Sequence, residues 1–285
     1  MTIDVDKALG AAPRVEEISW SDRDVRLYHL GIGAGVPATD PAELRYTLES
    51  RLCVLPSFAT VAGGGPPGVI GALSMPGVDV DLAAVLHAGQ SLRLHRPVPA
   101  AGTATATSRV VAAHDKGKAA VLVMRTEVAD GGGPLWTCDA EVYVRGEGGW
   151  GGARGPSAAP EQPPGEPDST VERAVRPDQA LLYRLTGDDN PLHADPEFAR
   201  AAGFERPVLH GLCTYGMTLK AVVDTLLAGE AGRVRAYRAR FVGVVYPGET
   251  LRVRMWRGAG EARAEVSAVE RGDVPVLGSG RVRYA

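Results

Sequence analysis

Residues 182–196 read LYRLTGDDNPLHADP and residues 27–41 read LYHLGIGAGVPATDP. Laid over one another without a gap, they share Leu27/Leu182, Tyr28/Tyr183, Leu30/Leu185, Asp40/Asp195 and Pro41/Pro196. One deletion later, VLPSFAT at 54–60 falls on VLHGLCT at 208–214. Collinear self-similarity of this kind marks a duplicated unit of roughly 140 residues. The copies differ at one telling place: Asp188, Asn190 and His193 stand opposite Gly33, Gly35 and Ala38. One copy carries a polar cluster that the other lacks.

Each unit reads as helical segments followed by strands, the order of an α+β domain and not of alternating βαβ. In the second unit, 177–183 predicts a short helix and 186–191 a break. Asp195 then caps a helix that starts at Pro196 and stops by Gly203. From Gly211 to Leu227, Leu212, Tyr215, Leu219, Val222, Val223 and Leu226 recur at helical spacing, which predicts a buried central helix. RAYRARFVGVVYPGETLRVRMWR, ARAEVSAVER and VLGSGRVRY alternate like antiparallel strands after it, turned at Pro247-Gly248 and Gly272-Asp273. QSLRLHRPV, ATATSRVVAAH, KAAVLVMRTEVAD and TCDAEVYVR repeat the pattern in the first unit, where Asp115 to Lys118 turn one hairpin. Between the units, RGEGGWGGARGPSAAPEQPPGEPDST at 145–170 loses all apolar periodicity. Its Pro-rich part reads as an extended linker, and its Gly-rich start as linker or as a loop packed on one half. The expected division is 1–152, a linker at 153–170, and 171–285.

Composition excludes several classes of function. With 45% hydrophobic and 23% charged residues the chain is that of a globular protein with a sizeable core. A net charge of -3 provides no field to gather phosphate backbones, so nucleic acid is not an expected partner. Cys53, Cys138 and Cys213 are odd in number and far apart, which reads as buried thiols in a reducing compartment, with no metal site. The start MTIDVDKALG has neither the basic end nor the apolar run of a secretory signal, and no later stretch reaches about 18 apolar residues. The expected location is cytoplasmic, without a membrane span.

Pro191 biases Asn190 away from helical geometry, so Asp188 and His193 sit on irregular backbone where their side chains can converge. A histidine beside a carboxylate can hold a water and move its proton, and an Asn amide can lock the geometry. Asp, Asn and Pro are equally the residues of a capped turn. Gly211 opens the central helix, where its N–H is an unsatisfied donor at the positive end of the dipole. Such a donor can polarise a carbonyl oxygen; a tightly packed helix start and a buried His210 are the plain alternatives.

Taken together, Y-x-L-T-G-D-x-N-P-L-H-x-D-P-x-x-A from Tyr183 to Ala199 and P-V-L-H-G-L from Pro207 to Leu212 resemble the MaoC-type (R)-specific enoyl-CoA hydratases. The duplicated layout is similar to the double hot-dog hydratase 2 subgroup, whose first unit shapes an acyl pocket while the second is catalytic. That resemblance implies an α+β double hot-dog, two antiparallel sheets each wrapped around a central helix. It implies water addition to a trans-2-enoyl thioester giving the (3R)-hydroxyacyl thioester, or the reverse, with no cofactor. Asp188 and His193 would activate the water, Asn190 would hold the loop and the Gly211 N–H would bind the thioester oxygen. By the same resemblance His87, Ala88, Lys116 and Phe241 would touch the CoA or acyl part, although a hairpin lysine is as readily a solvated one. The usual LHGEQ appears here as LHAGQ at 86–90, which unsettles the roles of Ala88 and Gly89. The acyl group would arrive on CoA or on a carrier protein, and a homodimer is permitted but not required.

Three competing readings stay open. Gly33 to Ala38 fits the dinucleotide fingerprint G-x-G-x-x-A, which needs a strand before it and a helix opening within it. A hot-dog thioesterase would use a carboxylate and an oxyanion donor but has no need of the Asp188 to His193 spacing. A bare acyl-binding module would need none of the cluster. Pocket size should depend on how Pro56, Gly63 to Gly65 and Pro66-Pro67 break the first unit's helix.

Overall fold

The computed structural model describes residues 2–64, 74–156, 163 and 165–285. Its strands are β1 (Arg14–Trp20), β2 (Val85–Leu94), β3 (Gly102–Asp115), β4 (Ala119–Asp130), β5 (Gly133–Arg145), β6 (Ser169–Ala174), β7 (Val234–Phe241), β8 (Thr250–Arg257), β9 (Glu261–Ala268) and β10 (Val274–Tyr284). Among the described residues the helices are α1 (Val5–Gly10), α2 (Asp22–Gly31), α3 (Pro41–Leu44), α4 (Gln179–Tyr183), α5 (Pro196–Ala201) and α6 (Gly211–Leu226).

Among the described residues, ten strands form one antiparallel sheet in the order β1-β3-β4-β5-β2-β7-β10-β9-β8-β6. Read outward from its centre, the first half runs β2-β5-β4-β3-β1 and the second β7-β10-β9-β8-β6, the same topology twice. The duplication seen in the sequence is therefore a duplication of fold, the double hot-dog. The two sheets expected of it join edge to edge through β2 and β7, with Leu92 opposite Tyr237. Each half thereby covers the other's unpaired strand edge.

The helix α6 lies against the concave face of the second half. Twelve of its sixteen residues are buried, so it needs sheet on one side and first-half helices on the other. Strands β8 and β9 present alternate residues to it, among them Val253, Met255, Ala264 and Val266. On the opposite side α2 crosses closely at Gly216, where an added Cβ would stand 2.5 Å from the Tyr28 hydroxyl and 2.7 Å from Ile32. Gly216→Ala is accordingly expected to destabilise the protein by about 1–3 kcal/mol. A chemical-denaturation midpoint would show it, and an unchanged midpoint would mean that Tyr28 moves aside freely.

Several expectations need correction. Strand β1 lies between α1 and α2, and β6 precedes every helix of the second half, so the order is not helices first and strands afterwards. Both are outermost strands, paired on one side to β3 and β8, and they expose alternate residues, the charges Arg14, Glu17 and Glu172 among them. Since β6 starts at Ser169, the last two positions of the expected linker belong to the sheet. The glycine-rich start of that segment is the packed loop: N–H groups of Gly149 and Gly151, with that of Gly117 in the β3–β4 turn, donate to the Asp115 carboxylate. The GxGxxA stretch follows α2 instead of a strand, and Gly33 and Gly35 hold φ of +81° and +86° in a loop. The dinucleotide fingerprint lacks its structural context. In the first half, 56–60 is a short 3-10 helix; Gly65 and Pro66-Pro67 lie outside the described residues. Cys138 and Cys213 are buried and Cys53 half-buried, all three as free thiols. Among the described residues no helix is long and apolar enough to cross a membrane.

Candidate active site

The segment opened by Tyr183 is shaped by local chemistry. The turn of 3-10 helix at Arg184–Thr186 is closed by the Thr186 hydroxyl on the Tyr183 carbonyl (2.8 Å) and ended by Gly187 at φ +116°, a backbone setting that favours glycine. Asp188 Oδ1 then accepts the Asn190 N–H (3.2 Å), and Asn190 Oδ1 accepts the Leu192 N–H (3.0 Å). That second bond caps the 3-10 turn Pro191–His193. Asp195 caps α5 through the N–H groups of Glu197 and Phe198, as its spacing predicts. The capped-turn reading and the site reading are both correct, for different residues of one segment.

The chemical end of the segment meets the start of α6. A carboxylate oxygen of Asp188 and one ring nitrogen each from His193 and His210 lie within 4.8 Å of one another. His193 and His210 stack, with centroids 3.7 Å apart and planes tilted by 29°. His193 Nδ1 is 2.8 Å from the Val208 carbonyl, which can only accept, so Nδ1 carries the proton and Nε2 offers its lone pair. By the same logic His210 Nε2–H donates to the Asp188 carbonyl at 3.2 Å. Its Nδ1 is buried without a partner among the described residues.

Both imidazoles are held in the neutral form. Burial lowers the pKa of His193, aided by the Arg184 guanidinium and opposed by the Asp188 carboxylate and the Val208 hydrogen bond. Burial likewise pushes His210 well below the usual histidine range, with His193 adding to the shift. Two imidazoles and a carboxylate are also the donors a divalent ion would use. One nitrogen of each ring is left without a protein partner among the described residues or free to accept, which also suits proton transfer.

Gly211 follows His210 and opens α6, so its N–H belongs to the first turn of a helix, where no carbonyl four residues back can accept it. An added Cβ would stand 3.2 Å from the Phe241 ring at the end of β7. That ring packs edge-on against His87 of β2 at 4.9 Å. His87 is neutral, its pKa lowered to about 4 by burial, and its Nε2 has no partner among the described residues. Ala88 occupies a bulge of the β2–β5 ladder. At the departure from LHGEQ, Gly89 faces Glu141 across the strands, and a Cβ there would be 3.2 Å from the Glu141 carboxyl group. Glu141 thus reaches into space that a side chain at position 89 would need.

Of the residues singled out in the sequence, the structure gathers Asp188, Asn190, His193 and Gly211 at one helix start, with Phe241 beside Gly211 and His87 packed on Phe241. Lys116 is elsewhere: its Nζ donates to the carbonyls of Arg154 and Pro156, tying the β3–β4 turn to the segment after β5. Sequence reasoning passed over His210 as a satisfied core histidine and gave no role to Tyr183, whose ring lies 4.9 Å from His210. It also overlooked Arg184. All three stand inside the two motifs, but nothing in their spacing says that rings seventeen residues apart stack.

Comparison with known proteins shows the family. The model of the MFE-2 hydratase 2 N-terminal domain matches residues 18–146 and that of the MaoC like domain residues 158–276. The chain is 49% identical over 97% of its length to an enoyl-CoA hydratase, ChsH3, of Mycobacterium tuberculosis, covering 97% of that protein. It is 40% identical over its whole length to 3-hydroxyacyl-thioester dehydratase Y of the same organism, covering 99% of it. A MaoC-like dehydratase of Phytophthora capsici superposes with a TM-score of 0.87 at 30% identity, covering 99% of this chain and 98% of that one. The chain belongs to the MaoC-like hydratase 2 family.

Proposed function

We propose that the protein catalyses the reversible hydration of a trans-2-enoyl-CoA, or a related acyl thioester, to the (3R)-3-hydroxyacyl thioester. The observation that carries this reading is the pairing of a neutral His193, its Nε2 lone pair free, with the Asp188 carboxylate within 4.8 Å. Those two groups hold a water and take up its proton as its oxygen adds to C3, and a proton is returned to C2. Charge developing on the thioester oxygen is met by the Gly211 N–H at the positive end of α6. Asn190 fixes the loop. His87, Ala88 and Phe241 border the acyl thioester, and Lys116 contributes to CoA binding only if the segment it clasps opens. The reaction calls for no cofactor, since the side chains present perform both proton transfers. The enzyme acts in the cytoplasm, and because the duplication already supplies an internal pair, assembly into a homodimer is permitted but not required.

Mixing the protein with crotonyl-CoA is expected to lower the enoyl-thioester absorbance without release of free thiol. Thiol release would favour a thioesterase, and no change across a panel of chain lengths would sink the hydratase reading. The sign of the pH dependence follows from His193: the neutral base is lost when it protonates, and burial lowers that pKa. The acid limb of kcat/KM should therefore fall below pH 6.5, the ordinary histidine value.

A further inference from the structure

We propose that His210 is a positioning residue for the water-holding pair: it sets the plane of the His193 ring by stacking, and the place of Asp188 by a hydrogen bond to its carbonyl. This rests on the reading of Asp188 and His193 as the groups that activate water.

A histidine that serves only a core is ordinarily bonded at both ring nitrogens. His29 of the first half shows that arrangement: its Nδ1 donates to the Tyr46 carbonyl at 2.7 Å and its Nε2 accepts the Leu55 N–H at 3.1 Å. His210 is as deeply buried, yet its Nδ1 has no partner among the described residues. Its one hydrogen bond, from Nε2 at 3.2 Å, goes to the Asp188 carbonyl. Its ring meets those of His193, at 3.7 Å and 29°, and Tyr183, at 4.9 Å. One side chain thus touches both members of the pair.

The backbone around it explains what is left for that side chain to do. The Val208 N–H donates to the Leu192 carbonyl at 3.3 Å, and the Val208 carbonyl accepts from His193 Nδ1 at 2.8 Å. The Leu209 N–H ties the same segment to Val245 at 2.7 Å. These bonds hold the His193 ring at one nitrogen only, about which it is free to tilt. A second ring laid on its face removes that freedom.

The duplication supplies an independent observation. The register that sets VLPSFAT on VLHGLCT places Pro56 opposite His210, just as Ala38 stands opposite His193. Tyr28 and Tyr183, in contrast, are present in both halves and approach ring to ring at 6.1 Å. The tyrosines belong to the scaffold that the halves share. Both histidines are found where Asp188 is found and are missing where it is missing, so His210 follows the chemistry and not the fold.

The test uses two variants of the full chain, each keeping half of the contact. His210→Phe keeps a ring to lie on His193 and loses the bond to Asp188, whereas His210→Gln keeps an N–H donor and loses the ring. Each is expected to lower kcat for crotonyl-CoA hydration by about 10–100-fold with KM nearly unchanged. NMR spectra of ring-¹⁵N-labelled histidine, with the His193 signals assigned by their loss in His193→Ala, separate the two contacts. The unmodified protein and His210→Phe should show a single Nδ1–H tautomer of His193, and His210→Gln a mixture of tautomers. Folded variants with the kcat of the unmodified protein would overturn the proposal and leave His210 a core residue. A single tautomer in His210→Gln would overturn it equally, because the His193 ring would then need no stack. Should one variant fail to fold, the other decides on kcat alone. Because the tautomer readout needs no turnover, failure of the hydration reading shows separately, as an unmodified protein inactive at every chain length.

Discussion

Asp188→Asn is expected to cut kcat for enoyl-thioester hydration by about 10²–10⁴-fold while leaving the fold and melting temperature nearly unchanged. The separation of the two effects comes from the geometry. Asn retains an oxygen that can accept the Asn190 N–H, so the loop stays closed, but it carries no negative charge to hold a water or balance a proton in transit. His193→Ala should cause a loss of similar size, because the Nε2 lone pair disappears. It also removes one ring of the stack with His210 and the bond to Val208, so a small drop in stability accompanies it. Steady-state assays beside circular-dichroism melts would check both. An active double variant would refute the assignment of the site.

The second large effect concerns a charge cluster remote from the chemistry. Lys220 lies in the middle of α6 with a side chain 6% exposed; its Nζ bonds Glu43 at 2.6 Å and Asp224 at 2.7 Å. Tyr46 donates its hydroxyl to Asp224 at 2.6 Å, and Glu43 in turn accepts the Gly35 N–H at 2.9 Å. This network fastens the loop of the non-catalytic half, where Gly33 and Gly35 replace Asp188 and Asn190, to the helix that carries Gly211. Lys220→Met would leave two largely buried carboxylates facing each other and should cost about 3–5 kcal/mol. In a chain of this size that lowers the melting temperature by on the order of 10 °C. Pairing it with Glu43→Gln should recover part of the loss, and no recovery would mean that packing, not charge, dominates.

What could be read from the sequence followed from local rules. The helix α6, the Asp195 cap and the main hairpins are set by periodicity, capping and turn residues within about twenty positions, and the duplication showed through a gapless match. What could not be read depended on distant partners. RVEEISW and STVERA are strands because β3 and β8 pass beside them, not because of their own composition. The stretch from Gly146 to Gly151 packs because Asp115 gathers its amides. Lys220 did carry a signal, a cation four residues before Asp224 in a largely apolar helix; such a charge calls for buried partners, and one of them, Glu43, comes from elsewhere in the chain. Within the site, the segment's own residues offered Asp188 and His193 as candidates, whereas the stack of His193 on His210 appears only once that segment meets the start of α6.

The ladder between β2 and β7 has a consequence for how the enzyme behaves in solution. Where two separate subunits share a site, dilution erodes activity as the pair comes apart. Here the partner half is covalently tethered, so its local concentration is set by the tether and not by the amount of protein. Specific activity should then stay constant down to the lowest concentration at which the chain itself stays folded.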